Sequence, residues 1–163
     1  MAKKPPVTRA LHALRAAGAE YSEHLFDYGS HPGAEGAAQA LGLELHHTIK
    51  TIVFTADDGR GAVVLMHGDM EISTKKLARV MGVKTLRPAT QPEADRVTGY
   101  QFGGTSPLGM RTDPPVFAQE SLLALDVGYV NAGSRGFLVG IAPAKLLDLT
   151  EAVIADVAVE TVL

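Results

Sequence analysis

Lys50 stands inside an otherwise apolar and β-branched run, residues 48–55, and two glycine-rich segments follow at residues 98–109 and 131–136. One interior cation combined with two loops rich in unpaired backbone N–H groups suits an ester that carries phosphates. Glycine opens backbone conformations closed to other residues and lets a ligand reach the main chain without meeting a Cβ. Lys50 shares strand parity with Ile52 and Phe54, while Ile49, Thr51 and Val53 take the other face. Both faces read as buried. The lysine must therefore snorkel from the strand end or point into a polar cavity, because an unpaired buried ammonium is costly. Spacing alone leaves both readings open, and it also allows Gly103-Gly104 to be a plain turn that Pro107 stiffens.

Other chemistries find less support. The chain has no cysteine, which excludes an enzyme-borne thiol nucleophile and a disulfide framework. Ser106 precedes Pro107, a setting unlike a nucleophile elbow, so a serine triad is rejected. His46-His47 resembles half of a metal site, yet no second pair at ligand spacing and no nearby carboxylate accompanies it. Neither a metal nor a cofactor is expected. His31, beside Pro32, falls in a loop near the candidate site, and His24 and His67 read as strand residues.

The elements that must position these groups alternate along the chain. Helical spacing runs from Pro6 and Val7 through Leu11 and Leu14 to Gly18, with a strand next at residues 21–28. Residues 33–42 read as an alanine-rich helix with Ala34, Ala37, Ala38 and Leu41 on one stripe. The β run 48–55 is joined by the turn Asp57-Asp58-Gly59 to residues 61–66, which predicts a hairpin. Ser73 caps a helix ending before Gly82, and Thr90 with Glu93 forms a capping box for another ending near Gly99. Strands follow at 116–118, 127–131 and 136–141, and Pro143 opens a short helix. Such mixing favours a mixed sheet over a parallel doubly wound one.

The 163 residues read as one domain spanning 1–163, with 46% hydrophobic residues supplying an ordinary globular core. A net charge of −3 argues against binding duplex DNA over many phosphates. Lys75, Lys76, Arg79, Lys84 and Arg87 read as a solvated helix face and adjoining strand, with a small basic patch as the other reading. The basic start, Met1 to Pro6, leads into an amphipathic stretch and shows neither a signal peptide nor a membrane span, so a soluble cytoplasmic protein is expected.

Leu41-Gly42-Leu43 ahead of the strand, Lys50-Thr51, the whole of residues 98–109 and the stretch 129–136 together resemble the YbaK/EbsC family of aminoacyl-tRNA deacylases. The likeness is to its Cys-tRNA(Pro) deacylase branch, related to the editing domain of bacterial prolyl-tRNA synthetases, and covers nearly the whole chain. It implies an α+β fold, with a mixed, partly open barrel-like β-sheet and flanking helices, and action on mischarged tRNA. By the same resemblance Lys50 is the residue most closely tied to activity. The loop from Gly103 through Gly104, Thr105 and Ser106 to Pro107 cradles the aminoacyl end, and the loop holding Asn131, Gly133, Arg135 and Gly136 closes the amino-acid pocket beside Thr51. The family's N-terminal aromatic falls at Phe26 or Tyr28, lining the pocket or joining the core.

Such an ester is already activated, so the protein needs chiefly to hold the terminal adenosine and to stabilise the oxyanion with preorganised donors. N–H groups around Gly103, Gly104 and Thr105 are the candidate donors, and Lys50 would pair with a terminal phosphate or position the ribose. Arg135 either braces its loop or touches the sugar-phosphate backbone. Two positions depart from the family pattern: Asn131 replaces a small hydroxyl residue and Leu138 an acidic one. The expected function is trans-editing of Cys-tRNA(Pro), with the substrate's own thiol attacking the ester, and prolyl-tRNA synthetase as a candidate partner. The alternatives are a water-using deacylase of Ala-tRNA(Pro) or another small aminoacyl ester, and a noncatalytic module that binds a tRNA end or a synthetase.

Overall fold

The computed structural model describes residues 4–160, so Met1, Ala2 and Lys3 of the basic N-terminal stretch and residues 161–163 lie outside the described residues. Helix α1 is Arg9–Ala16 and begins later than the proline pair suggests, because Thr8 is its N-cap. The Thr8 hydroxyl accepts from Leu11 N at 3.2 Å and donates to Ala132 O at 2.6 Å, so one side chain both starts α1 and ties it to a distant loop. Strand β1, Ser22–Leu25, is shorter than the predicted 21–28. Its ladder ends where Phe26 N turns to Gly136 O, after which residues 28–31 form a turn closed by His31 N on Tyr28 O.

Helix α2 is Gly33–Leu41, ended by Gly42 in the left-handed region, and β2 is Thr48–Ala56. The predicted hairpin joins β2 to β3, Gly61–His67, with Lys50 opposite Met66 and Thr51 opposite Leu65. Helix α3, Thr74–Met81, is capped by Ser73, and α4, Gln91–Thr98, by the Thr90/Glu93 box. Between them lies β4, Leu86–Pro88. The remaining elements are β5 (Val116–Gln119), β6 (Gly128–Asn131), β7 (Phe137–Ile141), α5 (Pro143–Leu149) and β8 (Val153–Ala155).

The strands form one mixed sheet in the order β1-β7-β6-β2-β3-β5-β8, with β4 paired to β2. Pairs β2·β6, β3·β5 and β5·β8 are parallel and the others antiparallel, so the fold is α+β with an open mixed sheet. Parity along β2 separates two cores. Ile49 and Val53 join Leu11 and Leu14 of α1 and Leu146 of α5 on one face, whereas Phe54 joins Met66, Leu77 of α3 and Phe117 on the other. Each fully buried leucine contributes about 1.5–3 kcal/mol relative to exposure, so helices on both faces hold β2 in place. Among the described residues no helix is long and apolar enough to cross a membrane.

Candidate functional site

Lys50 lies near the start of β2, half-buried, and its Nζ donates to the carbonyl of Met70 at 2.7 Å. It forms no ion pair with a described residue. The acceptor is delivered by the turn after β3, which is held from several sides. Gly68 N donates to Thr48 O at 2.8 Å and Met70 N to His67 O at 3.1 Å. His46 Nδ1 lies 2.9 Å from an Asp69 carboxylate oxygen, and His67 Nδ1 donates to His46 O at 2.7 Å.

Asp69 corrects the expectation that no carboxylate accompanies His46: twenty-three residues separate them in sequence, and β3 with its turn folds the gap back. His46, His67 and Asp69 place ligand atoms within 4.8 Å of one another, the described group that could hold a metal ion. The arrangement serves the turn instead. His67 is fully buried, with one ring nitrogen on His46 O and the other 2.8 Å from Ser121 Oγ. The two imidazoles stack with centroids 3.8 Å apart and planes 6° apart, so their in-plane lone pairs do not converge on a point. Burial, opposed by the bond to the His46 carbonyl, holds the His67 imidazole below its ordinary proton affinity.

Beside Lys50 opens a cavity of about 450 Å³ between β2, α2, the strand pair β6·β7 and the glycine loop after α4. Of the residues picked out in the sequence, Phe26, Lys50, Thr51, Gly103, Thr105 and Asn131 line it. Tyr28 lines it too, so both candidate N-terminal aromatics belong to the wall. Leu138, singled out with Asn131 as a departure from the family pattern, lines the cavity as Asn131's direct cross-strand partner, and Tyr129, which was not chosen, lines it two residues before Asn131, at the strand period. The two positions that depart from the family pattern therefore sit opposite each other on one wall. Ala34 and Ala37 of α2 complete the lining with small apolar surfaces that no chemical signal marks. His31 is not part of the lining, though its neighbour Pro32 is.

The two glycine loops meet back to back. A Cβ on Gly104 would lie 2.9 Å from Ser134 C and 3.0 Å from Arg135 N, so only glycine lets the backbones approach this closely. Gly103, at φ +90°, turns toward the first cavity, where a Cβ would meet the Tyr28 hydroxyl at 2.4 Å. Gly104 N is spent on Gln101 O at 3.0 Å and is withdrawn from the donor set expected of it, whereas Gly103 N and Thr105 N donate to no described residue. Gly104, Gly133 and Arg135 line a second cavity of about 410 Å³ behind this partition. Ser106 and Pro107 are buried behind the wall, with Ser106 Oγ accepting from Leu108 N at 3.2 Å. Gly136 is buried and gives its carbonyl to Phe26 N at 2.9 Å. Arg135 braces the loops: its Nε donates to Phe102 O at 2.8 Å and its guanidinium lies 5.4 Å from the centre of the Tyr28 ring.

The arrangement thus offers one ammonium, two unpaired backbone donors and several hydroxyls. Among the described residues lining the first cavity there is no carboxylate, imidazole or thiol. Such a site can polarise a carbonyl and bind a polar or anionic group, but apart from the lysine it contains no Brønsted base.

A family model described as "Aminoacyl-tRNA editing domain" matches residues 31–149. The Enterococcus faecalis protein described as "Putative Cys-tRNA(Pro)/Cys-tRNA(Cys) deacylase EbsC" is 31% identical over 160 residues, covering 96% of this chain and 98% of that protein. A proline–tRNA ligase of Ligilactobacillus salivarius is 40% identical over 100 residues, which is 61% of this chain and 17% of the ligase. The crystal structure described as that of "a putative trans-editing enzyme for prolyl tRNA synthetase" superposes with TM-score 0.82 at 30% identity, covering 93% of this chain and 96% of that one.

Proposed function

This chain belongs to the aminoacyl-tRNA editing domain family, and on that premise we propose that it is a deacylase acting in trans on mischarged tRNA, with cysteine on tRNA(Pro) as its principal substrate. The observation that carries this reading is the content of the first cavity: unpaired donors and one cation, with no thiol, carboxylate or imidazole among the described lining residues. Phe26, Tyr28 and Tyr129 enclose the aminoacyl end, with Asn131 and Leu138 at its far wall. Gly103 N and Thr105 N hydrogen-bond the carbonyl oxygen as charge develops on it, and Lys50 holds the ribose while Met70 O fixes its direction.

The attacking group is then the substrate's own thiol. A carbon–sulfur bond forms at the ester carbonyl, the bond to the ribose oxygen breaks, and the thiol proton ends on that oxygen, leaving a cyclic thiolactone and deacylated tRNA. Holding the sulfur beside the carbonyl supplies the rate through proximity. The lack of a general base among the lining side chains other than Lys50 supports this step over attack by water. Asn131 opposite Leu138 favours a second reading, removal of alanine or another small residue by loop-held water, because this wall carries no charge. With a net charge of −3, affinity for tRNA is supplemented by a synthetase partner in either case. Deacylation of a panel of mischarged tRNAs tests the proposal. Cys-tRNA(Pro) should clear fastest, equal clearance of Ala-tRNA(Pro) would move the assignment to the second reading, and no clearance of any ester would leave a binding module.

A further inference from the structure

The second cavity has a composition unlike the first. It is lined by Gly99, Tyr100, Gln101, Gly104 and the loop residues Gly133, Ser134 and Arg135, with no carboxylate among the described lining residues. Across that loop Ala132 N bonds Phe137 O and Phe137 N bonds Ser134 O, but the N–H groups of Gly133, Ser134 and Arg135 donate to no described residue. Successive unpaired N–H groups around a residue of positive φ, here Gly133 at +95°, make a concavity suited to an anion. One arginine lines it and a second stands at its edge. Arg135 uses Nε on Phe102 O and sets its guanidinium against the Tyr28 ring while its terminal nitrogens hydrogen-bond no described residue, and Arg9, over the Tyr100 ring, reaches the edge by donating Nη2 to Gly99 O at 2.8 Å and to Thr98 O at 3.3 Å. The loop is anchored from below by the Thr8 bond to Ala132 O.

We propose that this second cavity is a phosphodiester site that holds the linkage joining the terminal adenosine of the substrate RNA to the nucleotide before it. The inference rests on the deacylase reading and extends it. Gly103 lines the first cavity and its neighbour Gly104 the second, so one turn of backbone separates them and a chain esterified in the first has only that turn to cross. Backbone donors and arginine forks recognise a phosphate without reading a base, so the site selects an RNA-borne ester over a free amino-acid ester and is indifferent to tRNA identity.

The test uses the full chain, ¹⁵N-labelled, titrated with cytidylyl-(3′→5′)-adenosine and separately with adenosine. The dinucleotide should move the amide resonances of Gly133, Ser134 and Arg135, while adenosine, which lacks the phosphate, should leave them in place. A dinucleotide titration to millimolar concentration that leaves these three amides unmoved overturns the site, and so does an equal response to adenosine. In the kinetic arm, Ser134→Glu should raise KM for a cysteinylated minihelix about tenfold, because it sets a carboxylate against the phosphate, with kcat changed less than twofold. An unchanged KM contradicts the proposal. Should that variant fold poorly, the titration of the unaltered chain decides. Failure of the deacylase reading looks different: no ester is cleaved by the unaltered protein, whereas failure of the phosphate site alone leaves cleavage intact and the three amides silent.

Discussion

The ammonium of Lys50 donates to the carbonyl of Met70 at 2.7 Å, a neutral partner that orients the charge without cancelling it. A lysine paired with a carboxylate would offer substrate little net field. Here the field remains for the ribose of a substrate in the adjoining cavity.

Lys50→Ala should therefore lower deacylation about 100-fold or more, the usual cost of removing one preorganised electrostatic group. Its effect on stability should be only about 1 kcal/mol, the net worth of one hydrogen bond. Parallel melting curves and single-turnover rates separate the two effects, and a variant that unfolds or retains full activity places Lys50 in the framework alone.

Gly103→Val adds a side chain where Tyr28 stands and forces a β-branched residue to φ +90°. The rate at saturating substrate should fall to near background, because both the donor geometry and the space for the ester are lost. Near-normal turnover would remove the oxyanion role assigned to this loop.

The depressed proton affinity of His67 makes stability depend on pH. Above its ordinary pKa of 6.5 both folded and unfolded forms are neutral and the group contributes no penalty. As pH falls from there toward the lower folded value, the unfolded chain takes up the proton first, so stability declines with falling pH. NMR titration of the His67 ring should give a folded pKa below 6.5, and its titration at or above that value would contradict the stated balance of burial and hydrogen bonding.

Thr90 and Glu93 exchange two hydrogen bonds at the start of α4, the helix that leads into the glycine loop. Thr90→Ala should cost about 1 kcal/mol in chemical denaturation. Activity should follow only to the extent that the loop's mounting loosens.

Local rules made much of this architecture readable in advance. Ser73, Thr90, Gly42 and Gly82 mark helix ends through contacts within one turn of the chain, and Asp57-Asp58-Gly59 marks the β2–β3 hairpin by turn chemistry. Strands β4 and β8 are three residues each and take their definition from pairing with β2 and β5, a long-range event without a local signature. The same limit applied at the site. Lys50, Thr51 and Gly103 carry unusual residue types, and Asn131 and Leu138 departures from the family pattern, so all were visible, whereas Asp69 reaches His46 only because β3 and its turn fold back, and sheet register alone sets Leu138 opposite Asn131. The division of the glycine loops between two cavities depends on which N–H groups the folded loops already use, and spacing does not encode that.

The most direct test of the central claim is a single-turnover comparison of Cys-tRNA(Pro), Ala-tRNA(Pro) and Ser-tRNA(Pro) at equal protein concentration, with the released product and the protein followed by rapid-quench mass spectrometry. The account predicts that the cysteine ester is cleared much faster than the other two, that the cyclic thiolactone is its first product, and that no acyl group appears on any side chain. Trapping of an acylated protein, or the absence of cleavage with all three esters, would contradict it.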